Sequence, residues 1–270
     1  MSNTKDTGAN EEKSQEQLKK EKLKPTEEED YGYYFYPDRD TRSKVDEDKS
    51  FLSKKWEKFM RSGYSGDSGD QLKCESNVIW CKENDSQVKL MLAALKSKGC
   101  EINLGRHISC EPCRERCNGG YDPNSNQIVV CQNNTRKKDV CCSVLAHELT
   151  HAYDNCRAKV DFTDIEQVAC TEIRASNFTH CSIATSMMNG EASPWNYKEA
   201  HQLCVKNKAL HSVLLVRNVT MDEAATVVDK VFDKCYADLE PVGRIPRKYT
   251  RDAYLSFVEG RTHGYFDKDS

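Results

Sequence analysis

Fourteen cysteines are the feature of this 270-residue sequence that most constrains its fold. All of them lie between Cys74 and Cys235, and at about 5% of the chain they are well above ordinary usage. Such a density indicates either covalent cross-links or metal sites. Because most of the cysteines are spread along the chain, disulfides are the preferred interpretation, although sequence alone does not assign their connectivity. The sequence therefore predicts a disulfide-braced domain.

One short run of residues allows a competing interpretation, because paired cysteines two residues apart suit metal clamping. The four residues of this possible Cys3His zinc site are His107, Cys110, Cys113 and Cys117. Four other cysteines lie close to the helices predicted below to carry the chemistry, and they are placed to brace those helices: Cys141, Cys142, Cys156 and Cys170.

The cysteine content and the N-terminus point to different compartments. Structural disulfides persist where the environment is oxidising, yet residues 1–30 have no apolar signal-peptide core and are too acidic for a typical transit peptide. No run of about 18 apolar residues is present for a membrane span. The mitochondrial intermembrane space reconciles these features, because proteins are retained there by disulfide formation without a cleaved presequence. The nine residues enclosed by Cys100 and Cys110, and by Cys131 and Cys141, match that import route, although fourteen cysteines also produce such spacings by chance.

Composition divides the chain into three segments. Residues 1–48 are polar and charged and are predicted to be a disordered tail. Residues 49–70 are predicted to form a basic amphipathic helix followed by a flexible linker at 63–70, and such a helix suits either a membrane surface or the domain core. Residues 71–270 are predicted to be the folded domain. The net charge of −3 argues against a general nucleic-acid binder.

The pattern of apolar and turn residues predicts a mostly helical α+β domain with a small sheet. We expect a helix capped by Ser86 and ending at Gly99, and short strands at 101–109 and 127–132. Four further helices are expected: 141–157; 164–177, opened by a capping box from Thr163 to Glu166; one opened by Ser193-Pro194; and one from the capping box at Thr220 to about Tyr236.

The string His147-Glu148-Leu-Thr-His151 carries the most chemical information. Histidines four residues apart on a helix project from one face and can both bind one zinc ion. Glu148 lies beside that face, where it can act as a general base on water. The surrounding helix is apolar, so two histidines and a carboxylate there would be costly unless they were paired or metal-bound. The sequence therefore predicts one catalytic Zn²⁺ bound by His147 and His151, with Glu148 as the base.

The predicted third ligand is Glu172, because it lies in the apolar stripe of the following helix, where an unpaired carboxylate is expensive. Its position, 21 residues beyond His151, resembles the glutamate ligand of thermolysin-like enzymes. Those enzymes usually have an aspartate four residues later to orient a histidine, whereas this chain has Ser176. Asp154 and Asp164 are the candidates for that orienting role. The alternative ligands are Asp154, Glu166 and His180.

Several distinctive strings occur in order along the chain: Ile108-Ser-Cys-Glu-Pro-Cys113, Tyr121-Asp-Pro-Asn-Ser-Asn-Gln-Ile-Val-Val-Cys-Gln132, His147-Glu-Leu-Thr-His-Ala-Tyr-Asp154, Ala169-Cys-Thr-Glu-Ile-Arg-Ala175 and Pro241-Val-Gly-Arg-Ile-Pro246. Together they resemble the mitochondrial inner-membrane metalloproteases of the ATP-twenty-three family. The resemblance covers about residues 73–255.

What the resemblance implies is a disulfide-braced, zincin-like zinc endopeptidase, peripheral on the intermembrane-space side of the mitochondrial inner membrane. The implied substrate is the precursor of ATP synthase subunit 6. The implied partners are the membrane-sector subunits of that synthase, because members of the family also assist the assembly of these subunits. The alternative function is an assembly chaperone or interaction module that retains a vestigial zinc site.

Two further features suggest contacts with substrate and membrane. Ile128–Val130, just before the histidine helix, is either an exposed edge strand that pairs with an extended substrate or a merely buried strand. A late basic cluster suits either phospholipid headgroups or a solvated surface, and its members are Arg244, Arg247, Lys248 and Arg251.

Overall fold

The structure is a computed structural model that describes residues 67–113, 117–181, 187, 192–193, 195–246, 251–262 and 264. The predicted tail 1–48, the predicted amphipathic helix, and Arg247 and Lys248 of the basic cluster lie outside these residues. Within the described part of the chain, no helix has the length and apolar character needed to cross a membrane.

The described residues form eight helices and one three-stranded sheet. In chain order the elements are α1 (Asp67–Asn84), α2 (Ser86–Ser97), α3 (Leu104–His107), β1 (Ile108–Glu111), β2 (Gly119–Asp122), β3 (Gln127–Cys131), α4 (Lys138–Ala158), α5 (Ile165–Thr179), α6 (Tyr197–Val216), α7 (Met221–Tyr236) and α8 (Arg251–Thr262). The prediction of a mostly helical domain with a small sheet is confirmed.

Helix α1 was not predicted, and its first four residues fall in the segment expected to be a linker. Its buried positions are Cys74, Asn77, Val78 and Cys81. This stripe has helical spacing but contains a single aliphatic residue, so hydrophobic periodicity gave little signal. Disulfides from Cys74 and Cys81 attach α1 to the rest of the domain and replace much of the apolar packing that a helix normally needs.

The segment before the sheet differs from the prediction of a strand at 101–109. The Asn103 side chain accepts hydrogen bonds from the backbone N–H groups of Gly105 and Arg106 and thereby caps the one-turn helix α3. Strand β1 starts only at Ile108. The cap of α2 also differs, because the Asp85 carboxylate rather than Ser86 accepts the first N–H groups. The predicted end of α2 before Gly99 is confirmed, with Gly99 at φ 82°.

The sheet has the order β1-β3-β2, with β1 parallel and β2 antiparallel to β3. Strand β3 is therefore central, and Ile128, Val129 and Val130 are all fully buried. The hypothesis that Ile128–Val130 is an exposed substrate-binding edge is wrong, because both of its edges are already paired. β2 instead lies at an edge of the sheet, and it packs against α4.

Helix α4 is the centre of the domain, and it packs against the sheet, α1, α2 and α5. Its apolar residues Val144, Leu145 and Leu149 are buried. Helix α5 packs on α4 and is in turn covered by α6 and α7. The Asp164 side chain, not Thr163, caps α5 by accepting from the backbone N–H of Glu166. The predicted capping box at Thr220 is present at the start of α7.

Disulfides join nearly every layer of this arrangement, so the prediction of a disulfide-braced domain is confirmed. The six bridges are Cys74–Cys110, Cys81–Cys142, Cys100–Cys156, Cys113–Cys131, Cys170–Cys235 and Cys181–Cys204. The alternative of a Cys3His zinc site is wrong, because Cys110 and Cys113 are both joined in disulfides. Bridges from Cys142 and Cys156 anchor α4, and one from Cys170 anchors α5, whereas Cys141 is a buried thiol.

Candidate metal centre

One turn of α4 places His147, Glu148 and His151 together beneath the molecular surface. All three side chains are buried, and the two imidazole rings lie edge to face with centroids 4.7 Å apart. The helical spacing explains this arrangement, since residues i and i+4 share a face. The α5 helix crosses this face of α4 and supplies the remaining groups.

Glu172 of α5 approaches both imidazoles. Its Oε2 atom is 3.3 Å from His147 Nε2, and its Oε1 atom is 3.5 Å from His151 Nε2. Across the described residues, His147, His151 and Glu172 form a group whose candidate ligand atoms all lie within 4.8 Å of one another. The structure thus brings the three predicted ligands to one point.

The alternative third ligands are placed differently. Asp154 is buried in an ion pair with Arg174 and Arg157. Glu166 is exposed and pairs with Lys230. His180 is exposed, with its ring centroid 4.7 Å from that of His147, so it stands at the rim.

His147, His151 and Glu172 fit a bound zinc ion in two ways: in the chemical types of their ligand atoms, and in a carboxylate oxygen that has no hydrogen-bond partner among the described residues. Two imidazole nitrogens and one carboxylate are a common ligand set of catalytic zinc. Glu172 Oε2 is buried and has no hydrogen-bond partner among the described residues. A buried carboxylate oxygen without a partner is costly, and a cation between the three groups would satisfy it.

Burial also controls the protonation of the site. It lowers the pKa of His151 to about 4, an effect that the nearby Glu172 opposes. His151 is therefore neutral at pH 7 and has a lone pair for a metal. Burial raises the pKa of Glu172, whereas His151 and a hydrogen bond from Ser212 lower it. The pKa of Glu148 is raised well above its ordinary value, first by burial and then by the charge of Glu172.

Two threonines of α5 contact the outer nitrogens of the histidines. Thr171 Oγ1 lies 2.9 Å from His151 Nδ1 and donates to Asp154 Oδ2 at 2.8 Å. Thr179 Oγ1 lies 3.3 Å from His147 Nδ1 and donates to the carbonyl of Ala175 at 2.6 Å. Each hydroxyl has one proton, which is already donated, so it accepts from Nδ1–H and leaves Nε2 as the lone-pair nitrogen. Asp154 is thus linked to His151 by hydrogen bonds through Thr171. Asp164, the other candidate for the orienting role, caps α5 instead.

A cavity of about 300 Å³ opens onto Glu148 and both histidines. Strand β2 lines one side of it through Gly119, Gly120 and Tyr121. Gly119 is packed against α4, because a Cβ atom built there would lie 2.6 Å from Val144 Cγ1 and 3.5 Å from Glu148 Oε1. The edge strand therefore runs directly beside the predicted catalytic carboxylate.

The sequence did not indicate several contributors to this site, of which Thr179 beside His147 is one. Strand β2 has two glycines and no β-branched residue, so it gave no strand signal. Thr171 gave no signal either, since its role depends on how α5 crosses α4. Cys117 also lines the cavity, and its Sγ atom is 3.6 Å from Sγ of the disulfide-bonded Cys131.

The candidate site thus consists of a buried group of two histidines and a glutamate, with a second glutamate beside it, and it opens into a cleft bordered by an edge strand. The chain belongs to the peptidase M76 family, whose model matches residues 72–243.

The chain is also similar to curated proteins named mitochondrial inner membrane protease ATP23 or its homologue. It is 42% identical to the Homo sapiens protein over 197 residues, which cover 72% of this chain and 78% of that protein. Identity to the Danio rerio protein is 39% over 244 residues, 88% of each chain. Identity to the Schizosaccharomyces pombe protein is 34% over 180 residues, 66% of this chain and 95% of the relative. No solved structure matched the chain.

Proposed function

We propose that this chain is a zinc-dependent, zincin-like endopeptidase, in which His147, His151 and Glu172 bind the metal and Glu148 is the general base. The observation that carries the proposal is the buried group of three candidate ligand atoms within 4.8 Å of one another, with Glu148 on the same turn of α4 as the two histidines. A chaperone with a vestigial site would have no need for this matched set of buried polar groups, which are costly to maintain.

The chemistry divides between the metal and the protein. When bound, zinc polarises the scissile carbonyl and makes water more acidic. Glu148 accepts the proton of the attacking water and passes it to the departing amine, since a carboxyl group with a raised pKa can both accept and return a proton near neutral pH. Burial of the site excludes bulk water from this transfer.

The edge strand β2 is proposed to hold the substrate. An extended peptide can add to β2 by backbone hydrogen bonds, because β2 pairs with β3 along one edge only among the described residues. Gly120 has no side chain, so the peptide backbone can approach closely there. Such pairing places a scissile bond beside Glu148 without requiring a particular side chain.

The proposed location is the intermembrane-space side of the mitochondrial inner membrane, at its periphery. Relatives over most of the chain are named mitochondrial inner membrane proteases. Six disulfides suit an oxidising compartment. The proposed substrate is the precursor of ATP synthase subunit 6, and the proposed partners are membrane-sector subunits of the synthase.

The proposal is tested in cells that lack the endogenous protein and express either the wild-type chain or Glu148→Gln. Labelled subunit 6 precursor and assembled synthase are followed separately. We expect Glu148→Gln to accumulate uncleaved precursor. The matched control is Glu166→Gln on the surface of α5, which removes only an exposed ion pair of small energetic value. Wild-type processing by Glu148→Gln would refute the mechanism, and normal assembly without processing would show that assembly is a separate activity.

A further inference from the structure

Two consecutive residues of α5 contact the two nitrogens of one imidazole. Glu172 Oε1 lies 3.5 Å from His151 Nε2, and Thr171 Oγ1 lies 2.9 Å from His151 Nδ1. The ring is thus held from both sides by the same helix turn. Any shift of α5 along α4 would disturb both contacts together.

Beyond Thr171, the contact continues to a buried carboxylate. Thr171 donates to Asp154 Oδ2, while Asp154 Oδ1 accepts from the guanidinium groups of Arg174 and Arg157. Arg174 is itself fixed by the backbone carbonyl of Glu240 at 2.6 Å. Asp154 is therefore held by two guanidinium groups, and the Thr171 hydroxyl directs its proton at the Asp154 carboxylate.

We propose that Thr171 is a positioning residue that links the Asp154 charge to His151, fixes the Nδ1–H tautomer and thereby prepares Nε2 to bind the metal. This inference rests on the proposed zinc function. A carboxylate that reaches a ligating histidine through a hydrogen bond raises the basicity of that histidine, and loss of such a partner typically weakens metal binding about 10- to 100-fold. Here the partner is a hydroxyl interposed between the carboxylate and the ring.

Thr179 provides a weaker counterpart on the other histidine. Its hydroxyl is 3.3 Å from His147 Nδ1, and its proton goes to the neutral backbone carbonyl of Ala175. Its link therefore lacks a charged acceptor, so Thr171 is the residue whose loss is expected to matter most.

The test compares Thr171→Val with Thr171→Ser and Thr150→Val. Valine is close in shape to threonine but has no hydroxyl, whereas serine keeps the hydroxyl. Thr150 is the matched control, because it is buried in α4 and its hydroxyl donates to the backbone carbonyl of Ala146 rather than to a carboxylate. Thermal unfolding of the disulfide-intact proteins verifies that each variant is folded.

The readouts are the dissociation constant for Zn²⁺, from competition with a chromophoric chelator, and the ¹⁵N spectrum of the metal-free histidines. We expect Thr171→Val to weaken zinc binding about 10- to 100-fold and to lose the single Nδ1–H tautomer of His151. Thr171→Ser is expected to stay within about threefold of wild type, as is Thr150→Val. A folded Thr171→Val variant with wild-type affinity and tautomer would overturn the inference. A wild-type protein that binds no zinc would instead overturn the proposed function and the inference with it.

Discussion

Gly119→Ala tests whether β2 forms one wall of the proposed active site. A Cβ atom at this position would lie 2.6 Å from Val144 Cγ1 and 2.8 Å from the backbone oxygen of Val129. Favourable contacts between carbon atoms begin at about 3.5 Å, so the methyl group would be about 1 Å too close to α4. Val144 can change rotamer, but the Val129 oxygen belongs to the central strand of the sheet and cannot yield. β2 must therefore move away from its neighbours.

This displacement has two expected consequences. Overpacking of this kind costs about 1–3 kcal/mol of unfolding free energy, which lowers the melting temperature by about 2–4 °C per kcal/mol in a domain of this size. A misplacement of about 1 Å beside a catalytic group can reduce activity by up to about 100-fold. The loss of kcat/KM should therefore exceed what the remaining folded fraction explains, whereas zinc affinity should stay near wild type.

The assays are denaturant unfolding, zinc titration and hydrolysis of a quenched peptide. Gly105→Ala is the matched control, because its new Cβ atom would meet only Asn103 Oδ1, at an ordinary 3.5 Å. A Gly119→Ala protein with wild-type unfolding free energy and wild-type kcat/KM would refute the placement of β2 beside the proposed catalytic carboxylate, Glu148.

Three further outcomes are expected. Glu148→Gln should lower kcat by about 10²- to 10⁴-fold while the protein retains one zinc ion per chain. Peptide hydrolysis and metal content are measured on the same sample, and an equal loss of both would contradict a purely catalytic role for Glu148. A thiol reagent should modify the partly exposed Cys117 in native protein but Cys141 only after unfolding, because burial raises the pKa of Cys141 to about 12; rapid native labelling of Cys141 in mass mapping would oppose this. Burial lowers the pKa of His201, so below a pH of about 6.5 the unfolded chain binds a proton that the folded chain does not. The unfolding free energy should therefore decrease as the pH is lowered through this range, and it should decrease less steeply in His201→Gln. Identical slopes for the two proteins would contradict this expectation.

The local chemistry of the site was predictable from sequence because it lies within short segments. His147, Glu148 and His151 occupy one helical turn, and the apolar residues around them made their polarity conspicuous. Glu172 was predictable for the same reason, as a carboxylate in an apolar stripe of α5. These inferences require only helix geometry and the cost of burying charge.

The features of the fold and the site that the sequence did not predict depend on how elements distant in the chain pack together. Thr171 carries no signal until α5 crosses α4 and places its hydroxyl between His151 and Asp154. The edge position considered for Ile128–Val130 was wrong because glycine-rich β2 gave no strand signal, so the strand that pairs with the second edge of β3 was not anticipated. Helix α1 was missed because disulfides at Cys74 and Cys81 supply the attachment that apolar residues usually provide.

Zinc stoichiometry tests the central claim most directly. Wild-type protein purified with its disulfides intact is stripped with a chelator and titrated with Zn²⁺, and the peptidase activity is recorded at each point beside a Glu172→Gln variant. We expect activity to rise in proportion to zinc and to saturate at one ion per wild-type chain, with much weaker binding in the variant because it lacks the carboxylate ligand. Full activity of the stripped wild-type protein, or equal zinc binding by the variant, would contradict the proposed metal centre.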